Sequence, residues 1–92
     1  MSEVGVHLLV EGRVQGVGFR YFCQRAGLSC NLKGSVRNLI DGNVEIVAEG
    51  DTENINRFLD KITNDHPYAK VVKIKKDNIS LTGNYESFII NY

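Results

Sequence analysis

At the centre of the chain, residues 34–49 read GSVRNLIDGNVEIVAE. Two extended, β-branched runs flank Asp41-Gly42 here. An Asp-Gly pair between such runs is a strong hairpin signal, because glycine accepts the positive φ that the turn requires. The pattern therefore predicts two antiparallel strands, over residues 34–40 and 43–49, joined by a tight turn.

An amphipathic segment lies on each side of this hairpin. After it, Asp51 or Thr52 can cap a helix that ends at Asn64 or Asp65, before Pro67. The apolar residues of this segment recur at helical spacing and are Ile55, Phe58, Leu59 and Ile62. A similar stripe before the hairpin consists of Phe19, Phe22, Cys23, Ala26 and Cys30. Both stripes are typical of helices that cover a sheet.

Alternating apolar residues predict three further strands, over about 4–10, 70–76 and 86–92. The resulting order is that of an α+β, ferredoxin-like split βαβ fold with an additional C-terminal strand. Right-handed crossovers then place both helices on one face of a mainly antiparallel sheet. With 92 residues in all, we expect a single domain over 1–92.

Composition argues against several classes of partner. Eleven basic and eleven acidic residues give a net charge of zero, so no overall field attracts nucleic acid or an anionic membrane. Residues 43–49 contain none of the aromatic residues on which an RNA-binding sheet stacks bases. No segment resembles a membrane helix or a signal peptide, so we expect a cytoplasmic protein.

A glycine-rich segment, EGRVQGVGFR at residues 11–20, separates the first strand from the first helix. Glycine allows several backbone N–H groups to converge, and the following helix adds unpaired N–H groups and the positive end of its dipole. This segment predicts an anion site, beside which the Arg20 guanidinium could grip two phosphate oxygens. The spacing fits neither nucleotide-binding motif. By spacing alone, it could equally form only a tight connection, with Arg20 as a surface cation.

Residues 12–20 resemble the first signature of the acylphosphatase family, Gly-x-Val-Gln-Gly-Val-x-Phe/Tyr-Arg, and match each of its fixed positions. Residues 34–38, residues 42–44 and Gly50 resemble the second signature. Ser35 departs from it, because the family usually has an aromatic residue there. Together with weaker likenesses near Pro67 and in the last strand, the resemblance covers nearly the whole chain.

This resemblance implies an enzyme that hydrolyses the carboxyl-phosphate anhydride of acyl phosphates by direct attack of a positioned water. It implies that Arg20 and the loop bind the phosphoryl group, whereas Asn38 orients the water. The implied binding residues are Gln15, Gly16, Val17, Gly18, Phe19 and Arg20. Without the resemblance, an Asn near a hairpin is usually a turn residue bonded to the backbone.

The implied chemistry requires neither a metal nor a cofactor. A carboxylic acid with a pKa of about 4 departs without being protonated, and no His/Cys/Asp cluster has metal-ligand spacing. We expect His7 and His66 to lie away from the loop. We also expect an acyl phosphate as the small-molecule partner, inorganic phosphate as a product inhibitor, and a monomer.

A binding module without turnover is the main alternative. The acylphosphatase-like domain of the carbamoyl-phosphate-using hydrogenase maturation proteins would be an example. Such a domain continues into clusters of cysteines, whereas this sequence ends at Tyr92, so we expect the enzyme. Cys23 and Cys30 would lie about 10 Å apart on one helix, too far to bridge, and both are expected to be buried thiols.

Overall fold

Two helices cover one face of a five-stranded sheet in the computed structural model, which describes residues 2–92. The elements in chain order are β1 (Glu3–Arg13), α1 (Phe19–Ser29), β2 (Lys33–Asn38), β3 (Val44–Asp51), α2 (Thr52–Asn64), β4 (Lys70–Ile79) and β5 (Phe88–Ile90). The strands lie in the order β4-β1-β3-β2-β5. This architecture confirms the predicted α+β, ferredoxin-like fold.

The core forms between the helices and the apolar face of the sheet. Alternate residues of the strands are buried there because successive side chains of a strand point to opposite faces. The strands contribute Val6, Leu8, Val10, Val36, Val44, Ile46, Ala48 and Phe88. The helices contribute Phe19, Cys23, Ala26, Ile55, Phe58 and Ile62. Both predicted stripes are thus confirmed, with Phe22 and Leu59 only partly buried.

The central hairpin forms at the predicted place, but its turn spans residues 39–43 and not only Asp41-Gly42. Lys33 pairs with Glu49 and Asn38 with Val44, and Gly42 has a φ of 96° in the turn. Asp51 caps α2, its carboxylate accepting a hydrogen bond from the Glu53 N–H at 3.0 Å. The cap therefore follows directly from the residue type at the end of β3.

The last strand makes the sheet mixed, because it adds one parallel pair to the predicted, mainly antiparallel sheet. β5 pairs with β2 in parallel, with Gly34 opposite Phe88 and Val36 opposite Ile90. After β4, at one edge, the chain crosses the end of the sheet and enters the other edge from the side where β2 begins. Parallel pairing is the consequence of this crossing.

A buried glutamate fastens the crossing segment. Glu49 is 7% exposed and lies on the sheet face opposite the helices. Its carboxylate accepts hydrogen bonds from the Thr82 N–H and hydroxyl, at 2.9 and 2.8 Å, and from the Gly83 N–H at 3.4 Å. A buried carboxylate is costly unless it is hydrogen-bonded, so these contacts hold the segment against the sheet.

A second carboxylate on this face, that of Glu45, bridges two strands. His7 Nε2 lies 2.9 Å from Glu45 Oε2, and Arg37 Nε lies 2.5 Å from Glu45 Oε1. The hydrogen bond with His7, followed by the contacts with Arg37, lowers the pKa of Glu45 from its ordinary value. The bridge ties β3 to β1 and to β2.

Both cysteines of the chain lie in the core. Cys23 and Cys30 are buried free thiols, as expected, and burial raises the pKa of Cys23. Within residues 2–92, no helix is long and apolar enough to cross a membrane.

The contact between α1 and β5 predicts that Gly27→Ala destabilises the fold. An added Cβ at Gly27 would lie 2.4 Å from a ring carbon of Phe88. We expect a loss of about 1–3 kcal/mol in the free energy of unfolding, despite the better helix propensity of alanine. Urea unfolding measures this, with exposed Arg25→Ala as the control, for which we expect a change within about 0.5 kcal/mol. Unchanged or increased stability of Gly27→Ala would contradict this packing.

Candidate active site

A cleft of about 260 Å³ opens between the start of α1 and the ends of β2 and β5. Its lining residues are Val14, Gly16, Gly18, Phe19, Arg20, Tyr21, Asn38, Ile90 and Tyr92. The fold therefore brings Arg20 and Asn38, which come from different elements, to one cavity. Of the other residues predicted for the site, Gly16, Gly18 and Phe19 line this cleft, whereas Gln15 and Val17 do not.

Two glycines give the loop before α1 its shape. Gly16 and Gly18 have φ values of 76° and 74°, in the left-handed region that side chains disfavour. A Cβ added at either position would meet no atom within 4 Å. The backbone conformation, and not a lack of space, therefore requires glycine here.

The N-terminus of α1 opens onto the cleft without a cap of its own. Gly18 is the N-cap residue, no side chain bonds to this end, and the first turn contains no acidic residue. The first helical hydrogen bond runs from the Phe22 N–H to the Gly18 carbonyl at 3.1 Å. The preceding N–H groups of the helix have no helical acceptor, and the dipole adds positive potential. This end of α1 can thus accept an anion.

Arg20 is the cation of the cleft. Its guanidinium carbon lies 4.9 Å from the centre of the Tyr92 ring, which it faces. Within the part of the chain that the structure describes, no carboxylate lies within 4.0 Å of Arg20. Stacking on a ring occupies the face of a guanidinium and leaves its in-plane N–H donors available. Arg20 is half-buried, and its in-plane donors are available to an anion.

Asn38 brings an unsatisfied amide to the cleft. Its Oδ1 is buried and has no hydrogen-bond partner among residues 2–92. A buried acceptor without a partner costs about 1–3 kcal/mol, so such atoms are rare outside functional sites. The side chain of an Asn near a hairpin usually bonds to the turn backbone. Here Asp41 makes that bond, because its Oδ1 accepts a hydrogen bond from the Asn43 N–H at 3.0 Å.

Gln15 turns away from the cleft. Its Nε2 donates to the carbonyl oxygens of Leu39 and Asn43, both at 2.8 Å. These bonds join the loop before α1 to the turn between β2 and β3. Nothing in the local sequence indicated this contact, because its partners lie more than 20 residues away, at separations of 24 and 28.

Two side chains of the loop belong to the core, and a histidine packs on one of them. Phe19 is buried and Val17 packs against the core, so both support the loop from below. The His66 ring lies 6.1 Å from that of Phe19 and 5.0 Å from that of Phe22, measured between centroids. The expectation that His66 lies away from the loop was therefore wrong, although it does not line the cleft.

Four cleft residues were not predicted from the sequence, and one of them is Val14, which directly follows β1. Tyr21 follows Arg20 in the first turn of α1, and Ile90 and Tyr92 come from the chain end beside β2. The positions of Ile90 and Tyr92 depend on the pairing of β5, for which the sequence offers no local signal. Ser35, the one departure from the second signature, is buried opposite Val47 and does not line the cleft.

Known proteins share both the sequence and the fold. The sequence model of the family described as Acylphosphatase matches residues 6–90. The acylphosphatase of Treponema denticola is 45% identical over 85 residues, which cover 92% of this chain and 89% of that protein. The crystal structure of acylphosphatase from Bacillus subtilis has a TM-score of 0.91 and 38% identity, covering 97% of this chain and 99% of that chain.

A longer protein contains a similar unit. The crystal structure of T. kodakarensis HypF matches with a TM-score of 0.86 and 38% identity. The match covers 97% of this chain but only 12% of that chain.

The left-handed loop predicts a specific effect of Gly18→Ala. Alanine there should cost about 1–2 kcal/mol of stability through backbone strain alone, and relief of that strain should turn N–H groups away from the cleft. We therefore expect weaker binding of inorganic phosphate, measured by calorimetric titration. Gly83→Ala is the matched control, because Gly83 has a φ of 68° with open space around it and lies outside this cleft. Equal phosphate affinity of the two variants would contradict the role of the loop.

Proposed function

The chain belongs to the acylphosphatase family, and we propose that its loop and Arg20 hold the phosphoryl group while Asn38 holds the attacking water. Family membership makes the protein a hydrolase of the carboxyl-phosphate anhydride of acyl phosphates. Its substrate is a small molecule, and its products are a carboxylate and inorganic phosphate.

The phosphoryl group lies in the loop at the N-terminus of α1. Gly16, Gly18 and the first turn of the helix present N–H groups to its oxygens, and Arg20 pairs with two of them. Phosphoryl transfer passes through a loose transition state, which requires mainly positioning and stabilisation of negative charge. The fold fixes the loop N–H groups and Arg20 before substrate arrives. They therefore supply positioning and charge stabilisation with little reorganisation. The absence of a carboxylate within 4.0 Å of Arg20, among residues 2–92, supports this assignment.

The buried oxygen of Asn38 is the observation that carries the proposed water site. Oδ1 has no hydrogen-bond partner among residues 2–92, and Asn38 lines the same cleft as Arg20. Rotation of the amide about the Cβ–Cγ bond turns Oδ1 toward the cleft, where a water that donates one hydrogen bond to it satisfies this acceptor and points a lone pair into the cleft. Asn38 therefore orients the nucleophile without removing its proton.

The reaction proceeds by a balanced displacement at phosphorus. The water oxygen forms a bond to phosphorus while the bond from phosphorus to the acyl oxygen breaks, and its electron pair leaves with the carboxylate. A proton passes from the water to a phosphoryl oxygen. With a pKa of about 4, the leaving acid needs no proton. This agrees with a cleft that no Asp, Glu, His, Lys or Cys lines within residues 2–92. We propose that no metal ion or cofactor takes part.

We also propose that phosphate inhibits the enzyme, that the protein is a monomer and that it is cytoplasmic. Inorganic phosphate competes with substrate, because it presents the same oxygens to the loop. Residues 1–92 act as one monomeric domain, since lysines along β4 disfavour pairing at this edge of the sheet. These lysines are Lys70, Lys73, Lys75 and Lys76. We propose a cytoplasmic location, in which the buried thiols of Cys23 and Cys30 stay reduced.

Two substitutions should separate phosphoryl binding from water positioning. We expect Asn38→Ala to lower kcat by about 100-fold or more, as loss of one preorganised group typically does, without weakening inhibition by phosphate. Arg20→Lys should lose nearly all turnover and also weaken phosphate inhibition, because lysine lacks the planar pair of donors. Benzoyl phosphate hydrolysis with EDTA present measures both effects.

Asn56→Ala and Arg57→Lys, on the exposed face of α2, are the matched controls and should retain wild-type rates. Undiminished kcat for Asn38→Ala would remove the water-positioning role. Wild-type phosphate inhibition of Arg20→Lys would remove Arg20 from the phosphoryl site. A wild-type protein that binds phosphate but hydrolyses nothing would be a binding module, and a rate abolished by EDTA would contradict metal-free hydrolysis.

A further inference from the structure

We infer that the side chain of Gln15 positions Asn38 relative to the phosphate loop and does not itself bind the phosphoryl group. This inference rests on the water-holding role proposed for Asn38. It differs from the role that the family resemblance implies for Gln15, and it depends on where the side-chain amide lies.

The hydrogen bonds of the Gln15 side chain leave no side-chain donor for substrate. A glutamine amide carries two N–H donors on one nitrogen. Gln15 Nε2 lies 2.8 Å from the Leu39 carbonyl oxygen and 2.8 Å from the Asn43 carbonyl oxygen, so both donors are used. The remaining polar atom, Oε1, is an acceptor and would repel a phosphoryl oxygen. The side chain therefore has no means of binding the phosphoryl group in this arrangement.

The two carbonyl groups that Gln15 contacts close the turn that follows Asn38. The Leu39 N–H donates to the Asn43 carbonyl at 2.8 Å, and the Gly42 N–H donates to the Leu39 carbonyl at 3.2 Å. Gln15 thus binds the two ends of this turn. Because Asn38 directly precedes Leu39, a displacement of the turn displaces Asn38.

At its other end, Gln15 is part of the phosphate loop. It directly precedes Gly16, whose left-handed backbone shapes that loop. Among the hydrogen bonds of residues 2–92, no other joins residues 14–18 to residues 38–43. One side chain therefore connects the segment proposed to hold phosphate with the segment proposed to hold water.

Asn38 needs such support because its own side chain has none. Its Oδ1 has no partner in the chain that the structure describes, so backbone position decides where the amide lies. On the opposite face of the sheet, the Arg37–Glu45 pair holds the neighbouring residue of β2, with 2.5 Å between Nε and Oε1. That pair fixes the end of the strand within the sheet, whereas Gln15 fixes it relative to the loop.

The inference is tested by a double-mutant cycle of Gln15→Met with Asn38→Ala in benzoyl phosphate hydrolysis. Methionine has nearly the size of glutamine but no N–H donor. We expect Gln15→Met to lower kcat by about tenfold or more, since displacement of a reacting group by about 1 Å costs up to about 100-fold. The inhibition constant of inorganic phosphate should change by less than about threefold, because the phosphate contacts remain. In the Asn38→Ala background, Gln15→Met should change kcat by less than about twofold, because the two residues act through one water.

Other results would overturn the inference. Phosphate inhibition weakened in step with kcat would make Gln15 a ligand, and an equal fall in kcat in both backgrounds would mean that it acts elsewhere. An unchanged kcat of Gln15→Met would mean that the two hydrogen bonds of the Gln15 side chain have no role in turnover. If Asn38→Ala itself left kcat unchanged, the proposed water site would fail whatever Gln15 does, so the two failures are distinguishable.

Two further variants separate positioning from general stability. Gln24→Met is the matched control, since Gln24 Nε2 donates to the Phe88 carbonyl at 3.1 Å and Gln24 does not line the cleft. It should keep the wild-type kcat even if its thermal midpoint falls. If Gln15→Met is unfolded at the assay temperature, Gln15→Asn, which keeps the amide but is one methylene shorter, replaces it in the same cycle with the same expected and contradicting results.

Discussion

The left-handed backbone at Gly16 and Gly18 is the constraint on which the site depends. It turns the chain from the end of β1 into the uncapped N-terminus of α1, so that unpaired N–H groups face the cleft instead of being covered by a cap. An anion is the natural complement of such a site. The half-buried, stacked guanidinium of Arg20 then adds a full charge to the partial charges of the backbone.

The sheet explains why the second half of the site meets the first. Val10 pairs with Val44 across β1 and β3, and Val44 pairs with Asn38 across β3 and β2. The loop that follows β1 and the turn that follows β2 therefore emerge at the same end of the sheet. Gln15 joins them there, so the distance between the loop and Asn38 is set by two hydrogen bonds as well as by strand register.

Local patterns in the sequence were sufficient for the elements and insufficient for their long-range contacts. Period-two and helical spacing, the Asp41-Gly42 turn and the Asp51 cap all appear in the structure where expected, because each depends on neighbouring residues. The parallel pairing of β5, the bonds of Glu49 to the crossing segment and the orientation of Gln15 depend on residues distant in the chain, which no local pattern encodes. The resemblance to a family supplied Asn38, whose chemistry its local sequence does not reveal.

The central claim is that water attacks phosphorus, and not the acyl carbon. Hydrolysis of benzoyl phosphate in water enriched in oxygen-18, with mass spectrometry of both products, tests it most directly. Attack at phosphorus predicts one labelled oxygen in each inorganic phosphate formed and none in benzoate. Label in benzoate would show that the carbonyl carbon is the site of attack, and would contradict the arrangement of loop, Arg20 and Asn38 proposed for this cleft.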